Sequence, residues 1–126
     1  MLQDVVIAGA SLAGLRAAET LRLQGFDGTI TLVNGETHLP YDRPPLSKRV
    51  LAGDLDPEAI KLRKDADYEP LDLEIRFGRL ATSLDVGAQT VTLDDGEVLP
   101  YDGLIIATGA SPRRIPGALE VEGIHE

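Results

Sequence analysis

At 126 residues, with 43% apolar and 26% charged side chains, the chain has the length of one domain and the composition of an α/β protein, and can bury roughly two thirds of its unfolded surface. A net charge of −9 argues against a general nucleic-acid binder, which needs a basic face. The lack of cysteine excludes disulfides, thiolate nucleophiles and cysteine-held clusters, so any electron transfer must use a bound cofactor.

No apolar run is long enough to span a membrane, and Gln3 and Asp4 stand where a signal peptide would be basic, so a cytoplasmic location is the expectation. Val5-Val6-Ile7-Ala8 is a short continuous apolar run, as in a parallel strand covered on both faces. Gly9-Ala10-Ser11-Leu12-Ala13-Gly14 follows as a tight turn. Leu12, Leu15, Ala18 and Leu21 then recur at helical spacing, and Gly25 is a fitting stop. A helix in that order aims its N-terminal amides and positive dipole end above the strand, which suits a diphosphate. In the dinucleotide fingerprint the first glycine makes the turn, the second lets a phosphate approach the backbone and the third lets helix and strand pack. Gly9 and Gly14 hold the first and third places, while Ser11 occupies the second. Its small side chain can point away and leave the amide free.

Residues 29–33, Thr-Ile-Thr-Leu-Val, are rich in β-branched residues and predict a second strand, completing a right-handed βαβ unit. The usual partner of the glycine turn is an acid after that strand that accepts from ribose hydroxyls. Asn34 and Gly35 come first, so Glu36 is the candidate, with a solvated loop acid as the equal alternative. Residues 34–45 hold three prolines and no periodicity and read as an ordered functional loop. Residues 46–52 predict a short helix ended by Gly53, residues 57–64 a short element and residues 65–71 a helical turn.

Residues 73–77 alternate like a strand with one wet face, and residues 80–86 suggest another strand. Residues 90–93 and 98–99 predict a hairpin with Asp95-Gly96 as its two-residue turn. Gly103-Leu104-Ile105-Ile106-Ala107 reads as a further buried parallel strand, ending in Thr108-Gly109 and a turn-rich exit. Cations fall in three groups. Arg43, Lys48 and Arg49, like Arg113 and Arg114, sit beside turns next to strand ends and point to an anionic ligand, whereas Lys61, Arg63 and Lys64 read equally well as a solvated face.

The stretch Pro40-Tyr41-Asp42-Arg43-Pro44-Pro45-Leu46-Ser47-Lys48 resembles the motif after the second strand in the flavoprotein ferredoxin and rubredoxin reductases. That group includes putidaredoxin reductase, the reductase components of aromatic-ring dioxygenases and apoptosis-inducing factor. Residues 101–113, Tyr-Asp-Gly-Leu-Ile-Ile-Ala-Thr-Gly-Ala-Ser-Pro-Arg, look like the group's Ala-Thr-Gly signature, and the resemblance covers nearly the whole chain. It implies an α/β fold: part of an FAD/NAD(P)-binding domain, a Rossmann-like parallel sheet with a flanking antiparallel hairpin or small β-sheet. It also implies FAD as cofactor, NADH as electron donor and a ferredoxin or rubredoxin-type acceptor, with no nucleic-acid or membrane partner.

The resemblance assigns the backbone of Gly9, Ala10, Ser11, Leu12, Ala13 and Gly14 to the FAD diphosphate and Arg43 to the adenosine or diphosphate end. Lys48 is placed near the flavin ring, where a cation favours the reduced form, and is the one catalytic candidate. Ala81 and Thr82 would contact adenine through the backbone. Ala107, Thr108 and Gly109 would close over the diphosphate, with Arg113 as a neighbour. Gly35 departs from the pattern, since it stands where the group carries its ribose-binding acid; either Glu36 takes that role or adenosine affinity falls.

The same resemblance implies a longer enzyme with an NADH domain carrying its own glycine fingerprint, which this sequence lacks. Residues 1–117 then correspond to the N-terminal part of the FAD domain and residues 118–126 to the start of a crossover. Two functions stay open: the FAD-binding segment of an NADH-dependent ferredoxin reductase, inactive alone and completed by further polypeptide, or a noncatalytic Rossmann-like remnant or interaction domain that binds flavin weakly or not at all.

Overall fold

The structure is a computed structural model that describes residues 1–117 and 122–124. The expected crossover start at 118–126 therefore lies outside the described residues, apart from 122–124. Strands β1 (Asp4–Ala8), β2 (Thr29–Asn34) and β3 (Leu73–Phe77) and the last strand, β7 (Gly103–Ile106), form a four-stranded sheet in the order β3-β2-β1-β7. All its pairings are parallel. Strands β4 (Ala81–Asp85), β5 (Thr90–Leu93) and β6 (Val98–Pro100) make a separate antiparallel sheet.

From Val5 to Ala8 β1 is apolar and buried, because both of its faces are covered there. Val5 and Ile7 pack toward the helix α1 (Leu12–Leu23), in a cluster with Ala18, Ile30 and Leu32. Val6 points the other way, with Val33, into Val91, Leu93 and Leu99 of the small sheet. The small sheet thus stands where a doubly wound protein would place helices on the second face. Leu15 and Ala18 are fully buried on α1. The helix ends as Gly25 turns left-handed at φ +83°. There the amides of Gln24, Gly25 and Phe26 reach back to the carbonyls of Thr20, Arg22 and Leu21, which closes the last turn. Arg22 then ties this end to the entry of β3 through the carbonyls of Leu71 and Asp72.

Two expectations are corrected, and the short helix expected from residue 46 forms with a different winding. The β5–β6 turn is not a two-residue loop: the Gly96 amide donates to the Leu93 carbonyl, so Asp94 and Asp95 are the central residues. Gly96, at φ +90°, supplies the left-handed position that follows a type I turn in a three-residue hairpin loop. The helix expected over 46–52 is a wider π-helical turn, Leu46–Val50, in which the Val50 and Leu51 amides reach five residues back. β7 is not buried: among the described residues it pairs only with β1, and Ile106 is 67% exposed. Its continuous apolar run belongs to a strand that has no neighbour on its outer side among the described residues. Residues 57–64 and 65–71 contain 3₁₀ turns at Pro57–Ile60 and Asp65–Leu71. Among the described residues no helix is long and apolar enough to cross a membrane.

Candidate functional site

The C-terminal ends of β1, β2 and β7 open together onto a cleft of about 500 Å³, a size usual for small-molecule sites in parallel sheets. Its first wall is the glycine turn. Gly9 has φ +108°, and a Cβ there would collide with the Ala107 carbonyl at the end of β7. The Gly9 amide is also held by the Val33 carbonyl at 3.0 Å, so the turn is wedged between the two flanking strands. A Cβ on Gly14 would in turn strike the Gly9 carbonyl, which fixes how closely α1 approaches. These two glycines therefore do what the first and third places of the fingerprint require.

Ser11 is the N-cap of α1 with φ −82°, a conformation open to any residue, so the backbone there does not call for glycine. Its side chain makes no capping bond, and no acidic residue lies in the first turn. The amides at the start of α1 and the positive end of its dipole are thus left to an anion.

The second wall is the loop after β2, and polar tethers hold it. Asn34 is buried; its side chain donates to the His38 carbonyl at 2.7 Å and accepts from the Glu36 amide at 2.9 Å. Gly78 donates to the Glu36 carbonyl and Arg79 to that of Asn34, each at 3.0 Å. The Glu36 side chain accepts from the Tyr41 hydroxyl at 3.1 Å and from Arg43 at 3.0 Å. Burial pushes the Tyr41 phenol above its ordinary pKa, and its bond to Glu36 acts in the same direction. Opposite, Leu80, Ala81 and Thr82 supply the start of β4, and Arg79 is ion-paired with Asp95 at 2.7 Å. A Cβ on Gly35 would meet the Leu80 side chain, so the departure from the acid at that place accompanies a leucine packed over it.

Of the predicted residues, Gly9, Ala10, Ser11, Glu36, Arg43, Ala81, Thr82, Ala107, Thr108 and Gly109 line this one cleft. Leu12 and Ala13 are exposed on the first turn of α1, and Gly14 is buried beneath the turn. Lys48 lies outside the lining, exposed, with its ammonium on the Pro44 carbonyl at 3.3 Å, and Arg113 is exposed beyond the β7 exit. Sequence reasoning overlooked Asn34, Tyr41 and Arg79. The Asn34 tether was readable in principle, since an Asx turn is what asparagine does after a strand. Arg79 carried no local signal; only the pairing of distant elements brings it here.

The sequence profile of the pyridine nucleotide-disulphide oxidoreductases matches residues 3–126. The chain belongs to that family. Within it, the chain is 43% identical over 124 residues to rhodocoxin reductase of Rhodococcus erythropolis, an alignment covering 97% of this chain and 29% of the relative. It is likewise 43% identical over 125 residues to the ferredoxin–NAD(+) reductase component of the p-cumate 2,3-dioxygenase system of Pseudomonas putida, covering 98% and 30%. Putidaredoxin reductase, in its covalent complex with putidaredoxin, superposes with a TM-score of 0.88 at 40% identity over 92% of this chain and 28% of that one. This pyridine nucleotide-disulphide oxidoreductase chain thus spans under a third of the relatives it matches and is homologous to the FAD-binding region of ferredoxin reductases. The disulfide of the family's name has no counterpart in a chain without cysteine.

Proposed function

We propose that the chain is the FAD-binding segment of an NADH-dependent ferredoxin reductase and that its cleft takes the adenosine diphosphate portion of FAD. One observation carries this reading: an uncapped helix N-terminus, a turn in which two glycine positions have no room for a Cβ, an arginine and a single carboxylate all converge on one cleft. Backbone amides of residues 9–14 suit the diphosphate, and the Arg43 guanidinium suits phosphate or ribose oxygens. Glu36 accepts from the ribose. Ala81 and Thr82 meet adenine through the backbone, the Thr82 hydroxyl proton being donated to the Thr92 carbonyl. Ala107, Thr108 and Gly109 close the diphosphate side, with Arg113 beyond them. FAD, when bound, supplies the hydride and single-electron chemistry that no side chain here can. Lys48 is assigned to the flavin-ring end, where its cation favours the reduced ring.

The reading extends to domain organisation, with residues 1–117 as the N-terminal part of the FAD domain and 118–126 beginning a crossover. It also extends to the rest of the electron path: NADH and an iron–sulfur acceptor engage parts of the protein outside this chain. Titrating the purified chain with FAD and recording its visible spectrum tests the proposal. The expected result is saturable binding with perturbed flavin bands. A chain that takes up no flavin overturns it in favour of the second reading, a noncatalytic Rossmann-like domain, which the glycine at position 35 favours.

A further inference from the structure

We infer that Tyr41 is a positioning residue for ribose recognition: with Arg43 it fixes Glu36 through one carboxylate oxygen and leaves the other to accept from the ribose hydroxyls of a bound adenine nucleotide. This rests on the proposal that the cleft takes an adenosine diphosphate group. Glu36 is the one carboxylate among the residues lining that cleft. Both of its side-chain donors, the Tyr41 hydroxyl and the Arg43 guanidinium, converge on Oε1. Among the described residues Oε2 accepts no bond. The backbone of Glu36 is held as well, its amide by the Asn34 side chain and its carbonyl by the Gly78 amide.

A glutamate on a loop would otherwise lose several rotatable bonds of freedom on meeting a ligand, and a carboxylate already tethered at one oxygen avoids most of that loss. Arg43 alone would not achieve this, since its side chain is 59% exposed in the pair and pulls from the solvent side. Tyr41 is half-buried, rigid beyond its second side-chain torsion, and holds the carboxylate from within the loop. With no side chain at Gly35, recognition of the ribose passes to a residue that needs such a support.

The test compares binding of ADP and of 2′,3′-dideoxy-ADP, which lacks the hydroxyls, by calorimetry on the 126-residue chain. The wild-type chain is expected to prefer ADP by about tenfold or more, the range for hydrogen bonds to a charged acceptor. Tyr41→Phe should cut that preference by about fivefold while leaving dideoxy-ADP affinity unchanged. Glu36→Ala, which leaves no side-chain acceptor, should abolish it, and adding Y41F to E36A should change nothing further, as expected when one residue acts through the other. Equal weakening of both ligands by Y41F, or an unaltered preference, overturns the inference. A melting curve shows whether Y41F is folded; if it is not, the decision passes to E36A, and a preference retained there overturns the inference. A wild-type chain that binds ADP without preference overturns the inference alone, whereas one that binds neither ADP nor FAD overturns the underlying proposal and this inference with it.

Discussion

The two walls of the cleft are built by different physics. The β1–turn–α1 wall is steric: its strand is buried on both faces, its turn has no room for a Cβ at Gly9, and its helix rests on that turn at Gly14. The segment from Asn34 to Leu71 forms no α-helix and, past the end of β2, no strand, only short π- and 3₁₀-helical turns, and has few buried apolar side chains, Ile60 and Leu71 among them. Polar tethers hold it instead: Asn34 to its own loop, Glu36 to Tyr41 and Arg43, and Arg63 across to Glu19 of α1. A steric wall fails all at once when one atom is added. A tethered wall loosens one bond at a time, and the loop can keep adjusting around a ligand.

The largest effect should therefore come from a single methyl group on the first wall. Gly9→Ala must adopt φ +108° and displace the Ala107 carbonyl, which is backbone just past β7, tied to Ala8 by the Ala107 amide, rather than a flexible side chain. The expected loss is about 3 kcal/mol or more of folding stability, from strain and overpacking together. Urea denaturation measures it. A loss below about 1 kcal/mol, the ordinary cost of a point change, would mean that the turn is as adjustable as the loop and that the contrast is false.

An intermediate effect is expected where the second wall has its one buried polar anchor. Asn34→Ala removes two bonds, including the acceptor for the Glu36 amide. A loss of about 1 kcal/mol or more follows from removing these two partly buried bonds. The distinguishing readout is local: hydrogen exchange should quicken at the Glu36 amide and stay slow at Val6 and Ile7. If exchange rises equally in β1, the two walls are one cooperative unit.

The same contrast governs what could be read without a structure. β1, α1 and β2 appear as patterns of adjacent residues because their partners lie at fixed, short spacings, and the strand run and glycine turn are legible to within a residue. The apolar run of β7 was legible as a strand, but not its edge position, since burial depends on what pairs beside it. The β5–β6 turn was misplaced by one residue because Asp94-Asp95-Gly96 fits either a two- or a three-residue loop, and only the Gly96 bond to Leu93 decides. In the site, the glycines, Glu36 and Arg43 were nominated by motif. Tyr41 stood inside the quoted motif without a role, since its use depends on where the Glu36 carboxylate lies. Arg79 was invisible because its place comes from the register between a parallel strand and a distant hairpin.

The smallest expected effect tests the ion-pair tether from the loop segment to α1. Glu19 lies on α1 with its side chain 17% exposed, and its carboxylate takes Arg63 at 2.7 Å as well as Arg16. Burial alone would raise its pKa, but the bonds from Arg16 and Arg63 outweigh that and hold it below the usual carboxylate value of 4.5. The sign follows. Because the folded carboxyl is the stronger acid, its contribution is fully present above the unfolded value and disappears as pH falls through the lower folded one. Glu19→Gln should cost about 1 kcal/mol at neutral pH, the upper end for ion pairs with solvent access. It should also flatten the acid limb of the stability curve below the ordinary carboxylate value, leaving the neutral slope unchanged. Melting temperatures of the two chains across the acid range measure this. If both fall in parallel, the Glu19–Arg63 link adds nothing to the attachment of the loop segment, and the apolar contacts of Ile60 and Leu71 hold it instead.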